Sequence, residues 1–83
     1  MIFTDDEISV AVSYCNSYLY LNYTPQTDRS VYDICNLNGR ILKTDQIIDS
    51  LTEIDITDLE NNKYVLLILD GDRVINQSFI VSR

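Results

Sequence analysis

The sequence predicts an all-β chain folded as an antiparallel β-sandwich of roughly six to eight short strands. Large apolar residues recur at every second position, as in Ile8, Val10 and Val12 or in Ile54 and Ile56. Turn-forming pairs, Asn16-Ser17, Asn38-Gly39 and Asp70-Gly71, punctuate those runs. The one continuous apolar run, Tyr64 to Leu69, is too short for a helix and fits a strand covered on both faces. With 83 residues and no linker, repeat or low-complexity tract, the chain is a single domain, 1–83.

Ile8, Val10, Val12 and Tyr14 alternate with Ser9, Ala11 and Ser13, so the large set shares one face of the first strand. Asn16 and Ser17 turn the chain into a second strand, Tyr18 to Tyr23, with Leu19, Leu21 and Tyr23 on one side and Tyr18 and Tyr20 on the other. Thr24 to Ser30 holds the only proline, Pro25, and reads as a loop crossing between sheets. Val31 to Asn36 is a third strand. Asn38-Gly39 predicts a type I′ hairpin with both residues at positive φ, returning through Arg40 to Thr44. Asp45 to Leu51 fits either one helical turn or an irregular edge. Thr52, Ile54 and Ile56 then alternate with Glu53, Asp55 and Thr57, a strand with one wet face. Leu59 plugs the sandwich end, Tyr64 to Leu69 follows, and Val74 to Val81 closes the fold with Ile75, Phe79 and Val81 available to the core.

Composition narrows the function. A hydrophobic content of 46% excludes a disordered chain. Thirteen acidic against six basic residues give a formal net charge of −7, which repels phosphate backbones and anionic lipid. The sequence therefore predicts no nucleic-acid partner and no membrane insertion, and no apolar run approaches about eighteen residues. Asp5, Asp6 and Glu7 stand where a secretory signal needs a basic start and an apolar stretch. A chain beginning at Met1 is thus expected to be made in the cytoplasm. A domain this small gains from burial little more than ordering its chain costs, so a partner or a larger assembly is expected to help hold it.

No residue set assembles an active site. With no histidine, the usual proton shuttle and the commonest metal ligand are missing. Cys15 and Cys35 alone cannot close a four-ligand zinc site. They are either free thiols, the favoured reading, or one disulfide. Asp70-Gly71-Asp72 resembles a fragment of a calcium loop, but a full loop needs about six ligands, and a hairpin turn accounts for the residues. Asp55 with Asp58, or Asp5 with Glu7, lie in polar segments without the pocket that separates paired pKa values. Asn22-Tyr23-Thr24 and Asn76-Gln77-Ser78 match the glycosylation pattern, which arises easily by chance. No cofactor is expected. Two sets of residues remain as partner-docking candidates. Val65, Leu67 and Leu69 point outward if Tyr64, Leu66 and Ile68 point inward, an apolar strip that a partner could cover. Tyr18 and Tyr20 belong to a cluster with Tyr14, Tyr23 and Tyr32 suited to sheet packing or to protein contact.

The second half also resembles a known family. Tyr32-Asp33-Ile34-Cys35-Asn36-Leu37-Asn38-Gly39-Arg40-Ile41-Leu42-Lys43 is similar to the V-x-I-Y-D-L-N-G-R-L-V-K hairpin of the C-terminal sorting domain of type IX secretion. Ile54-Asp55-Ile56-Thr57-Asp58-Leu59 followed by Tyr64 to Ile68 resembles its I-D-L-S-D-L-P-A-G-V-Y-L-V-K-I block, and Phe79 to Arg83 its K-F-I-V-K ending. The resemblance covers about residues 31 to 83. It implies an immunoglobulin-like sandwich of about seven strands that docks on a larger machine and has no catalytic residues. Three departures stand out. Glu60-Asn61-Asn62 replaces P-A-G, with Asn62 able to take the left-handed conformation; Ser78 replaces the first lysine of the ending; and the Y-P-N-P opening is missing.

The expected function is that of a non-enzymatic structural and interaction module. Its partner is a protein, either a larger assembly or further copies of itself. With neither cargo nor signal in the sequence, the first expectation is an accessory or decoration protein of a phage particle. The alternative is an excised sorting signal, which places the protein on the cell surface or in the secreted fraction.

Overall fold

The computed structural model describes residues 8–83; the Asp5 and Glu7 pairing falls outside them. Seven strands follow one another: β1 Ser9–Val12, β2 Tyr18–Asn22, β3 Ser30–Cys35, β4 Ile41–Gln46, β5 Leu51–Asp55, β6 Asn62–Asp70 and β7 Arg73–Val81. They form two antiparallel sheets, β1-β2-β5 and β4-β3-β6-β7. The loop after β2 crosses between them, as its proline and polar residues predict.

The period of two fixes which face each strand buries. Leu19, Leu21, Ile34, Ile54, Ile56, Leu66, Ile68, Phe79 and Val81 meet between the sheets, with Ile8, Tyr32, Leu59 and Tyr64 closing the margins. Tyr64 donates its hydroxyl to the Glu60 carbonyl at 2.5 Å and stacks on Phe79 at 5.7 Å. A tyrosine near the start of this strand bonding back a few residues is the tyrosine corner of immunoglobulin-like sandwiches, and the strand order agrees with that fold.

Several local expectations are corrected. Tyr14 does not continue the buried set of β1 but is fully exposed. The strand stops at Val12 because Ser13 folds the chain: its Oγ accepts the N–H groups of Ser17 and Tyr18, both at 3.1 Å. Asn16 takes the turn at φ 57°. Asn38 is not left-handed; Gly39 alone is, at φ 84°. The loop spans Leu37 to Gly39, with Gly39 N–H bonding Asn36 C=O and the Asn36 side chain accepting from the Asn38 and Arg40 N–H groups. Such three-residue loops need one left-handed residue where a type I′ turn needs two. Asn62 likewise has no positive φ and opens β6. Asp45 and Gln46 extend β4, and residues 47–50 are irregular, with Ile47 buried and its N–H on Ser30 C=O. Cys15 and Cys35 are free thiols, the first exposed and the second buried.

Asp70-Gly71-Asp72-Arg73 makes the β6–β7 hairpin, with Asp70 paired to Arg73. Gly71 is left-handed at φ 60° and Asp72 is not, the pattern of a type II′ turn. A Cβ on Gly71 would come within 3.0 Å of Thr27 Cγ2, whereas one on Gly39 would meet nothing within 4 Å. Gly39→Ala is therefore expected to cost only the backbone penalty, about 1 kcal/mol. Gly71→Ala should cost about twice that, because Thr27 must also move. Urea unfolding of the two variants side by side checks the difference; equal losses would rule out the contact with Thr27.

Candidate docking surfaces

Val65, Leu67 and Leu69 do point away from the core, but they are only half-buried, not open. β6 lies inside its sheet, and its outward residues are hemmed by cross-strand neighbours: Val65 by Cys35 and Ser78, Leu67 by Asp33 and Asn76, Leu69 by Val31 and Val74. The apolar area exposed on this face sits instead on β7, where Val74 is 65% and Ile80 60% accessible. Tyr18 and Tyr20 stand on the outer face of the other sheet, beside Asp55 and Glu53. The two candidate sets thus occupy opposite faces of the sandwich and cannot form one site.

Asp70 is far more than a turn residue. It is 1% exposed, and its carboxylate collects donors from the crossover loop and from Ser30 at the start of β3. Oδ1 accepts from Thr27 N–H at 3.0 Å, Thr27 Oγ1 at 2.6 Å and Ser30 Oγ at 2.6 Å. Oδ2 accepts from Gln26 N–H at 2.7 Å and from the Tyr23 hydroxyl. Burial is the largest single influence on this carboxyl and pushes its pKa up. Together the bonds from Ser30, Thr27, Tyr23 and Gln26 outweigh it and hold the group well below the usual carboxylate range.

A second polar knot closes the opposite end. The Arg83 guanidinium donates to the carbonyls of Leu59, of Ile56 at 2.7 Å and of Asn16 at 2.9 Å. Its backbone N–H reaches Asn61 Oδ1 at 2.9 Å, and Ser82 N–H reaches Asn16 Oδ1 at 3.1 Å. One side chain so ties together the β1–β2 turn, the β5–β6 loop and the end of β7.

Asp55 and Asp58, the carboxylate pair read from the sequence, are both drawn down and not pushed apart. Asp55 is held down by bonds from Thr57, and Asp58 by the Lys43 ammonium at 2.9 Å. Among the described residues, no group of three or more His, Cys, Asp or Glu could hold a metal ion. The Cys15 thiol is drawn down chiefly by Ser17, then Ser13; Cys35 is pushed up by burial and by Asp33.

Strand order, tyrosine corner and shared core define an immunoglobulin-like β-sandwich module. Residues 15–82 match the family model of the secretion system C-terminal sorting domain. The chain belongs to that family. The match begins before the hairpin blocks and takes in β2, so the strand pair that opens the domain only partly departs from the family pattern. No curated protein matches the chain. The family match supports the sorting alternative and not the phage-particle role.

Proposed function

We propose that this chain is the sorting signal of a type IX secretion cargo. It is a non-catalytic module that hands a protein joined to it to the export machinery and leaves that protein on the cell surface or secreted. The family match over residues 15–82, spanning β2 to β7, carries the reading. The docking partner is a protein, met on the outer face of the β4-β3-β6-β7 sheet, where Val74 and Ile80 extend the strip of Val65, Leu67 and Leu69 to open solvent. Catalysis has no part in this role.

Fusing residues 8–83 behind a secretory signal and a reporter, in a bacterium that runs type IX secretion, tests the role. The reporter is expected at the surface, and loss of residues 79–83 should strand it in the periplasm. Periplasmic retention of the intact fusion would refute the reading. Val74→Lys with Ile80→Lys tests the face. Both side chains are exposed, so the unfolding midpoint should hardly move, while surface reporter falls at least about fivefold. If Tyr18→Ser with Tyr20→Ser lowers export and the lysine pair does not, docking uses the opposite sheet.

A further inference from the structure

Among the described residues, β4 and β5 are each paired on one side only, β4 with β3 and β5 with β2. Both free edges border one trough of about 500 Å³, to which Tyr32, Leu42 and Ile54 give an apolar lining. Leu42 also lines a second hollow of about 380 Å³. Glu53 also lines a third of about 220 Å³, beside Ile48 and Leu51, which are 75% and 55% exposed. The lining carries six carboxylates, Asp45, Asp49, Glu53, Asp55, Asp58 and Glu60, against one basic residue, Lys43, already bonded to Asp58.

The backbone of β4 is open to pairing. Ile47 N–H bonds Ser30 C=O. In an antiparallel ladder such bonds recur at every second residue, so the N–H groups of Asp45 and Lys43 also face β3. Those of Gln46 and Thr44 face the trough side. Gln46 N–H accordingly bonds no strand and turns back to Asp45 Oδ1 at 2.8 Å. Unpaired strand edges accept a further strand, and the carboxylates select its charge.

We propose that this trough binds an extended, lysine- or arginine-bearing segment of a partner protein, which pairs with the free edge of β4 while its cations meet the acidic rim. The proposal does not rest on the sorting role, since the isolated chain carries the whole trough. Fluorescence anisotropy of labelled hexapeptides with the 83-residue chain tests it. Lys-Val-Lys-Thr-Lys-Val should bind saturably and Glu-Val-Glu-Thr-Glu-Val should not. Lys-Val-Lys-Pro-Lys-Val, equal in charge but unable to pair fully, should bind about tenfold more weakly.

Asp45→Lys with Glu53→Lys should weaken the first peptide by at least about tenfold. Thr44→Pro, which removes an N–H directed away from β3, should do the same with little change in the unfolding midpoint. If that proline variant unfolds, the proline peptide against the native chain makes the same distinction. Equal binding of the threonine and proline peptides, binding indifferent to the charge reversals, no binding at all, or self-association of the chain through this edge would each overturn the proposal.

Discussion

Asp70→Asn is expected to lower the midpoint of thermal unfolding by on the order of 10 °C or more. The substitution preserves shape and volume, so the loss isolates the hydrogen-bond pattern. Aspartate offers two acceptor oxygens, and each faces a backbone N–H that cannot rotate, Thr27 at Oδ1 and Gln26 at Oδ2. Asparagine has one oxygen and one amide nitrogen. Whichever way it is turned, an amide donor meets a backbone donor at a side chain that is almost wholly buried. Tyr23→Phe removes a single donor from the same carboxylate and should cost less than half as much. Comparable losses in the two variants would mean that packing, not the carboxylate, holds this end.

The acid dependence follows from the same geometry. A carboxyl whose folded-state pKa lies below its unfolded value contributes stability in full above that unfolded value, about 3.9 for aspartate, and loses it as pH falls through the folded value. The difference between native protein and Asp70→Asn should therefore stay constant from about pH 7 to pH 5 and narrow below about pH 4. Denaturant titrations at several pH values check this; a gap unchanged at the acid end would show that ionisation of Asp70 is not what the loop reads.

Strand parity was legible in the residues because each sheet has one face that must be dry. Leu19, Leu21 and Tyr23, or Tyr64, Leu66 and Ile68, could go only one way. The same parity fixes the position of both polar knots. Asp70 is the next inward step after Tyr64, Leu66 and Ile68, and Arg83 the next after Phe79 and Val81. A charged residue at the end of a buried alternation is a signal that it caps the core instead of facing solvent.

Other features were out of reach for physical reasons. Tyr14 keeps the alternation on paper, yet the hydroxyl of Ser13, the residue after Val12, ends the strand. Asn-Gly serves both a two-residue and a three-residue loop, and the ladder around it decides. The half-buried state of Val65, Leu67 and Leu69, like the free edges of β4 and β5, depends on which strands lie side by side. That order comes from pairings far apart in the chain, such as β3 with β6, and no local pattern encodes it.

Arg83→Ala should destabilise the domain by about 2 kcal/mol, a fall of roughly 8–16 °C in the unfolding midpoint. Three carbonyls from two segments, the β1–β2 turn and the β5–β6 loop, lose a charged donor at once, and the β5–β6 loop loses its tie to the end of β7. Exposure of part of this end to water keeps the penalty from being larger, since the freed carbonyls can be rehydrated. Arg83→Lys separates charge from shape. An ammonium keeps the charge but lacks the planar fork that reaches Leu59, Ile56 and Asn16 together, so it should restore less than half of the loss. Hydrogen exchange locates the effect: protection should fall around residues 56–62 and 13–18 and stay unchanged at residues 26–30, which the Asp70 knot holds at the far end. The two knots share no partner, so the midpoint shifts of Arg83→Ala and Asp70→Asn should add. A lysine variant as stable as the native protein would show that charge alone closes this end.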